Sequence, residues 1–280
     1  MKISLCNEVI REMEFEAQCR FCRSLGYDGV ELAPFTIDEN PHLISSERRK
    51  QLRRTAESNG TPITGLHWLL VSPEGLSITS KELRIREKTM EVMKGLVYLC
   101  ADLGGEILVH GSPMQRKILP GDTLDEVWKR AFDCFSVVAD LAEQAGLTYC
   151  LEPLAPQDTA FVNTIAEAVE MVRALGNPAF RTMIDCYAAS HSETASIPEL
   201  IRKWLPTGFL SHVHFNDRNR RGPGQGETLF APILATLVNM NYQGVIGVEP
   251  FDYYPDGPAS AARAIGYIRG VLDTQLFGNS

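Results

Sequence analysis

A chain of 280 residues with 44% apolar and 22% charged side chains has the composition of an ordinary folded protein, which excludes a disordered segment. The net charge of −8 argues against a partner drawn from nucleic acid or an anionic membrane surface. No run of about 18 apolar residues is present to span a bilayer.

One alternation repeats along the whole chain. The opening segment "MKISLCNEVI" is too short and too polar for a secretion signal; it contains a strand, "KISLCNE", followed by a helix over 12–26. "DGVELAPF" (28–35) is the second strand, and a helix opened by Ser45 and Ser46 follows, serine being a good cap. "ITGLHWLL" (63–70) is the third strand, with a long helix over 81–103. "EILVHGS" (106–112) is the fourth, and its helix begins at Thr123 or Asp122 and stops at Gly146. "LTYCLEPL" (147–154) is the fifth strand, and "TIAEAVEMVRALGNP" is a helix ended by Gly-Asn-Pro. "RTMIDCYA" (181–188) is the sixth, with "SIPELIRKWLP" a short helix after it. "LSHVHFND" (210–217) is the seventh, followed by the helix "LFAPILATLVNMNYQG". "VIGVEPF" (245–251) is the eighth, and a helix over 260–274 closes the series. Eight strands alternating with eight helices imply parallel βαβ units. With no break in composition, one closed (β/α)8 TIM barrel over residues 1–280 is expected. An open doubly wound sheet is the second choice, since no G-x-G-x-x-G follows the first strand.

The seven cysteines are an odd number scattered over a long chain, as in a reducing cytoplasm. Cys19 and Cys22 form a C-x-x-C at helical spacing. No second pair or nearby histidines complete a zinc set, so they are read as core thiols. In the loop 110–121, Arg116 and Lys117 are read as solvated rather than as a phosphate site.

In such barrels the active site lies where strands end. Polar residues at those ends are Glu31, His67, His110, Glu152, Asp185, His214 and Glu249. Glu152 in "YCLEPL", Asp185 in "TMIDCY" and Glu249 in "IGVEPF" stand inside apolar strands, where an isolated carboxylate is costly unless paired or metal-bound. Three carboxylates beside a histidine call for a cation. Oxygen and nitrogen donors without cysteine point to the harder divalent ions. Each acid taken alone is equally well explained as a helix cap or an arginine partner; the four together are not.

The stretches "LEPL", "MIDCY", "HVHFNDRNRRGPGQGE" and "VIGVEPFDY", each at a strand end and in that order, resemble the xylose-isomerase-like barrels. That group includes tagatose and psicose 3-epimerases, hydroxypyruvate isomerase and endonuclease IV. The resemblance covers essentially the whole chain. It implies Glu152, Asp185, His214 and Glu249 as metal ligands, with Mn²⁺ ahead of Mg²⁺, Co²⁺ or Zn²⁺. It implies Glu152 and Glu249 as the acid–base pair of a sugar isomerase or epimerase working through a cis-enediolate. His212, one layer deeper, is read as structural. Asp158 and Arg220 match substrate-binding positions, Arg220 being equally readable as a solvated loop arginine. His67 and His110 are read as contacting substrate or standing behind the ligands. Trp68 is either a pocket wall or core. Family members are commonly dimers or tetramers, so a homo-oligomer acting on a small carbohydrate is expected.

The chain departs from the epimerases at Ala188, where they carry a histidine that holds substrate, and in "APQD" after "LEPL". A carbohydrate or cyclitol other than free psicose is therefore expected. Three other activities stand beside isomerisation. A lyase or dehydratase acting on a keto-cyclitol begins with the same proton abstraction. An abasic-site endonuclease is disfavoured by Ala188, by the missing D-x-H after the seventh strand and by the charge. A non-catalytic sugar-binding barrel leaves the ligand set without purpose.

Overall fold

The structure, a computed structural model, describes residues 1–277; the last three residues of the expected unit lie outside the described residues. Eight parallel strands close into a barrel in sequence order: β1 (Lys2–Cys6), β2 (Gly29–Leu32), β3 (Ile63–Leu66), β4 (Ile107–His110), β5 (Thr148–Leu151), β6 (Phe180–Asp185), β7 (Leu210–Phe215) and β8 (Val245–Val248), with β8 pairing back onto β1. Around it stand α1 (Phe15–Leu25), α2 (Ser46–Ser58), α3 (Leu83–Leu103), α4 (Leu124–Ala145), α5 (Ile165–Leu175), α6 (Cys186–Ser192), α7 (Ile197–Trp204), α8 (Phe230–Asn239) and α9 (Gly257–Phe277). The chain is a (β/α)8 TIM barrel.

The helix ends follow local chemistry. Ser45 caps α2 by accepting from the Arg48 N–H at 3.3 Å. Thr123, rather than Asp122, opens α4 in a reciprocal capping box with Glu126. Gly146 ends α4 at φ +70°, a conformation costly to residues with a Cβ. Cys19 and Cys22 are buried free thiols in the main core.

The strands bury both faces, so successive residues point alternately into the barrel and out towards the helices. Ile107, Val109, Cys150 and Met183 form a small apolar cluster of their own, whereas Leu108, Tyr149 and Leu151 belong to the large helix-facing core. Continuing each alternation towards the strand ends brings Gly111, Glu152 and Asp185 to the inward side. In register with them, His214 pairs with Asp185 on one side and with Gly247 on the other.

Two expectations need correction. The sixth strand stops at Asp185 instead of 188, because the Asp185 side chain accepts the Ala188 N–H at 2.7 Å and starts α6 there. This makes nine α-helices among the described residues. The loop after β4 does not leave Arg116 in solvent. Arg116 is completely buried, while Lys117 is exposed.

Candidate active site and metal centre

Four strand ends, β5 to β8, converge at the mouth of the barrel. Glu152, Asp185, His214 and Glu249 are all buried, and each offers a donor atom lying within 4.8 Å of the others.

Each side chain is held by its surroundings. The Glu152 N–H donates to the His110 carbonyl at 3.2 Å. Its carboxylate lies over Gly111: a Cβ at that position would overlap Glu152 Oε2 and displace it. Asp185 spends Oδ1 on the α6 cap and accepts Asn216 Nδ2 on Oδ2 at 2.6 Å. Asn216 also donates to the Glu249 carbonyl and accepts the Tyr187 N–H, tying three strand ends together. His214 stands between two carboxylates, Nε2 at 3.0 Å from Glu31 Oε1 and Nδ1 at 2.9 Å from Glu249 Oε2. Glu31 also meets His212 Nε2 at 3.0 Å. A Cβ on Gly247 would come within 2.7 Å of the His214 ring and 2.9 Å of Glu31, so glycine again makes the space.

The electrostatics describe a site short of positive charge. Burial first, then the carboxylates of Glu249 and Asp185, push Glu152 well above the usual carboxylate range. Burial, with Glu249 adding, pushes Asp185 up to about 7. Burial opposes the charge of His214, but Glu249 and Glu31 outweigh it and hold the imidazole well above its ordinary value. Burial likewise works against Glu31, yet His212 and His214 keep it well below its own.

These residues fit a divalent cation. Three crowded carboxylates and one imidazole are donors for a hard or borderline ion. With Nε2–H donated to Glu31, His214 Nδ1 faces the cluster beside Glu249, where a cation would displace its proton and take its lone pair, the carboxylate–histidine arrangement of metal sites.

Above the acids opens a cleft of about 530 Å³. Its walls include Trp68, Tyr187 and Phe251, so of the two readings of Trp68, pocket wall or core, the first matches its position. The Trp68 ring meets Phe35 and Phe251 edge-on at 5.4 and 6.0 Å. Asp158 and Arg220 stand at the rim, 4.0 Å apart. The Arg220 guanidinium lies over Tyr187 at 5.1 Å and Phe251 at 5.3 Å. Its backbone is left-handed, φ +70°, and its carbonyl accepts the N–H groups of Phe251 and Asp252 at 2.7 and 2.9 Å. A non-glycine residue in that conformation costs about 1–3 kcal/mol, and two loops are joined through it.

Of the other expected residues, His67 points inward but sits behind the ligands. Its Nε2 is 2.7 Å from Glu8 Oε2 and 3.8 Å from Glu249 Oε1. Burial disfavours its charge, but Glu8 raises it. The reading of His110 as substrate-binding is corrected. Its ring turns outward, Nδ1 2.8 Å from the Tyr149 hydroxyl and edge-on to Phe135 at 5.0 Å. It is one residue out of phase with the inward Val109 and Gly111. Burial, with Arg116 adding, drives its pKa down to about 3.

Sequence reasoning missed Glu8, Gly111 and Asn216, and read Arg116 as solvated. Arg116 is enclosed with no hydrogen bond or ion pair among the described residues, and burial lowers it to about 10 against the pull of Glu152 and Asp158. Glu8 lies beyond the end of β1, in the short 3-10 turn Asn7–Ile10, so strand alternation did not mark it.

Comparison with known proteins agrees with this architecture. The chain belongs to the family of xylose isomerase-like TIM barrels, whose model matches residues 19–271. Among curated relatives, it is 27% identical over 248 residues to a D-psicose 3-epimerase of Ruminiclostridium cellulolyticum, covering 86% of this chain and 80% of that one. It is 24% identical over 239 residues to a probable ketose 3-epimerase of Synechocystis, covering 85% and 79%. Among solved structures, the apo form of a 3-keto-D-glucoside 4-epimerase from E. coli superposes with a TM-score of 0.83 at 21% identity, covering 96% of this chain and 99% of that one.

Proposed function

We propose that the chain is a metal-dependent sugar isomerase or epimerase that moves a proton on the carbon beside a carbonyl, through a cis-enediolate. The observation that carries this reading is the convergence of Glu152, Asp185 and Glu249 at the floor of one cleft, with His214 enclosed among them. The ketose 3-epimerases among its relatives support it. Those four residues would hold the cation, Mn²⁺ by preference, which when bound polarises the carbonyl and offsets the charge of the enediolate.

The chain's own residues do the rest. Glu152 and Glu249 rise from different strands, so one removes the proton and the other returns it. Asp185, tied by Ala188 and Asn216, keeps the floor rigid. Arg220 and Asp158 meet the substrate's outer hydroxyls, and the rings of Trp68, Tyr187 and Phe251 pack on its carbon face and exclude water. The substrate is a carbohydrate or cyclitol other than free psicose, a reading supported by Ala188. The chain works as a homo-dimer or homo-tetramer in the cytoplasm, where its seven buried free thiols stay reduced. Among the described residues no helix is long and apolar enough to cross a membrane.

The test is incubation with Mn²⁺ in D₂O and a panel of ketoses, keto-cyclitols and hydroxypyruvate, with an EDTA control, followed by NMR. Metal-dependent loss of the C–H signal beside a carbonyl is expected for at least one compound. No exchange in any of them with metal bound would sink the reading, and fastest turnover on free psicose would overturn the substrate assignment.

A further inference from the structure

Glu249 faces two ways. Its Oε2 meets His214, while Oε1 looks towards His67 on the opposite side of the barrel mouth. There Cys6, Glu8 and His67 join Glu249 in a second buried group whose donor atoms all lie within 4.8 Å of one another. One oxygen of this group, Glu8 Oε1, is buried with no hydrogen-bond partner. An orphaned carboxylate oxygen in an interior asks for an explanation. His67 satisfies only the other oxygen.

We propose that Cys6, Glu8, His67 and Glu249 form a second metal site, suited to Zn²⁺, joined to the first through the two oxygens of Glu249. Four donors comprising a thiolate, an imidazole and two carboxylates match zinc in number and in softness. The first site, with three carboxylates and one imidazole, suits harder ions, so the two would select different metals. As a packing residue alone Cys6 is oddly placed, since its sulfur also lies within 4.8 Å of donors from Glu31 and His214. Zinc entry would part the 2.7 Å His67–Glu8 pair and release two protons, one from the Cys6 thiol and one shared by that pair. The occupied site would fix the orientation of Glu249 and engage its second oxygen, so that Glu249 serves as the acid–base partner of Glu152 only while zinc is absent.

The test uses the full-length protein, stripped of metal and titrated with Zn²⁺ and, in parallel, with Co²⁺. The expected result is two ions per chain, with a thiolate-to-cobalt charge-transfer band. Cys6→Ser should abolish the band and lower the count to one, while circular dichroism shows the fold retained. Glu8→Gln should also lower the count to one, and serves if the serine variant does not fold. One ion per chain in the wild type, no thiolate band, or variants that still bind two would each overturn the proposal. A single ion removed by Glu152→Gln would leave the first site standing while refuting the second.

Discussion

The two halves of the barrel make an instructive pair. Strands β5 to β8 and strands β1 to β4 carry equally polar residues at their ends. In the first group Glu152, Asp185, His214 and Glu249 turn the same way and crowd one another. In the second, most polar groups are already answered or point elsewhere: Glu8 holds His67, Glu31 reaches across to His212 and His214, and His110 turns to Tyr149. Residue type at a strand end does not distinguish them. Direction and pairing do. Acids crowded together at the cleft floor are left to act on a ligand, whereas Glu31, enclosed behind them between two imidazoles, orients its neighbours.

That contrast can be broken by substitution. The largest effect is expected at Glu152→Gln and Glu249→Gln, each losing about 10²–10⁴-fold in kcat by deuterium washout. A rate within tenfold of wild type would move the chemistry out of the β5–β8 half. Gly111→Ala touches the same half without altering a ligand. Its new methyl displaces Glu152, and about a 10²-fold loss of kcat with an unchanged circular dichroism spectrum is expected. Glu31→Gln and Asn216→Leu probe the support beneath the ligands. Each should weaken Mn²⁺ affinity by about 10–100-fold in a calorimetric titration, and unchanged affinity would show that the ligands orient themselves.

The smallest catalytic effect belongs to His110→Phe, whose kcat should equal wild type if the ring faces the helices. Its signature is in stability. The folded state holds His110 neutral down to about pH 3, whereas the unfolded chain takes up the proton near pH 6.5. This contribution is therefore complete above pH 6.5. It is lost as pH falls towards 3, by about 1.4 kcal/mol per pH unit. Denaturant unfolding at pH 7, 6 and 5 should show a shallower decline in the variant; parallel declines would place His110 outside the buried layer.

The barrel and its acids were legible for a physical reason. Short apolar runs alternating with helical periodicity leave few folds, and a carboxylate inside "YCLEPL" or "IGVEPF" contradicts its surroundings enough to stand out. His110 was misread because both faces of β4 are buried, so "ILVH" shows no alternation from which to infer direction. Asp185 was read as mid-strand because a capping aspartate and a strand aspartate look alike before "CYAAS". Arg116 looked like any loop arginine, its enclosure depending on chain packed over it from elsewhere. Glu8 was passed over in a polar "NE", since it lies in the 3-10 turn after β1, where strand alternation no longer tells direction.

The close approach of Glu152 to Gly111 also bears on how such a barrel can change. A side chain at 111 and a carboxylate at 152 compete for the same volume, so their substitutions are not independent. A lineage that acquires the acid first meets a collision; one that acquires the glycine first loses only a little backbone rigidity after β4. The route to this chemistry therefore has an order, and its opening step changes no reactive group.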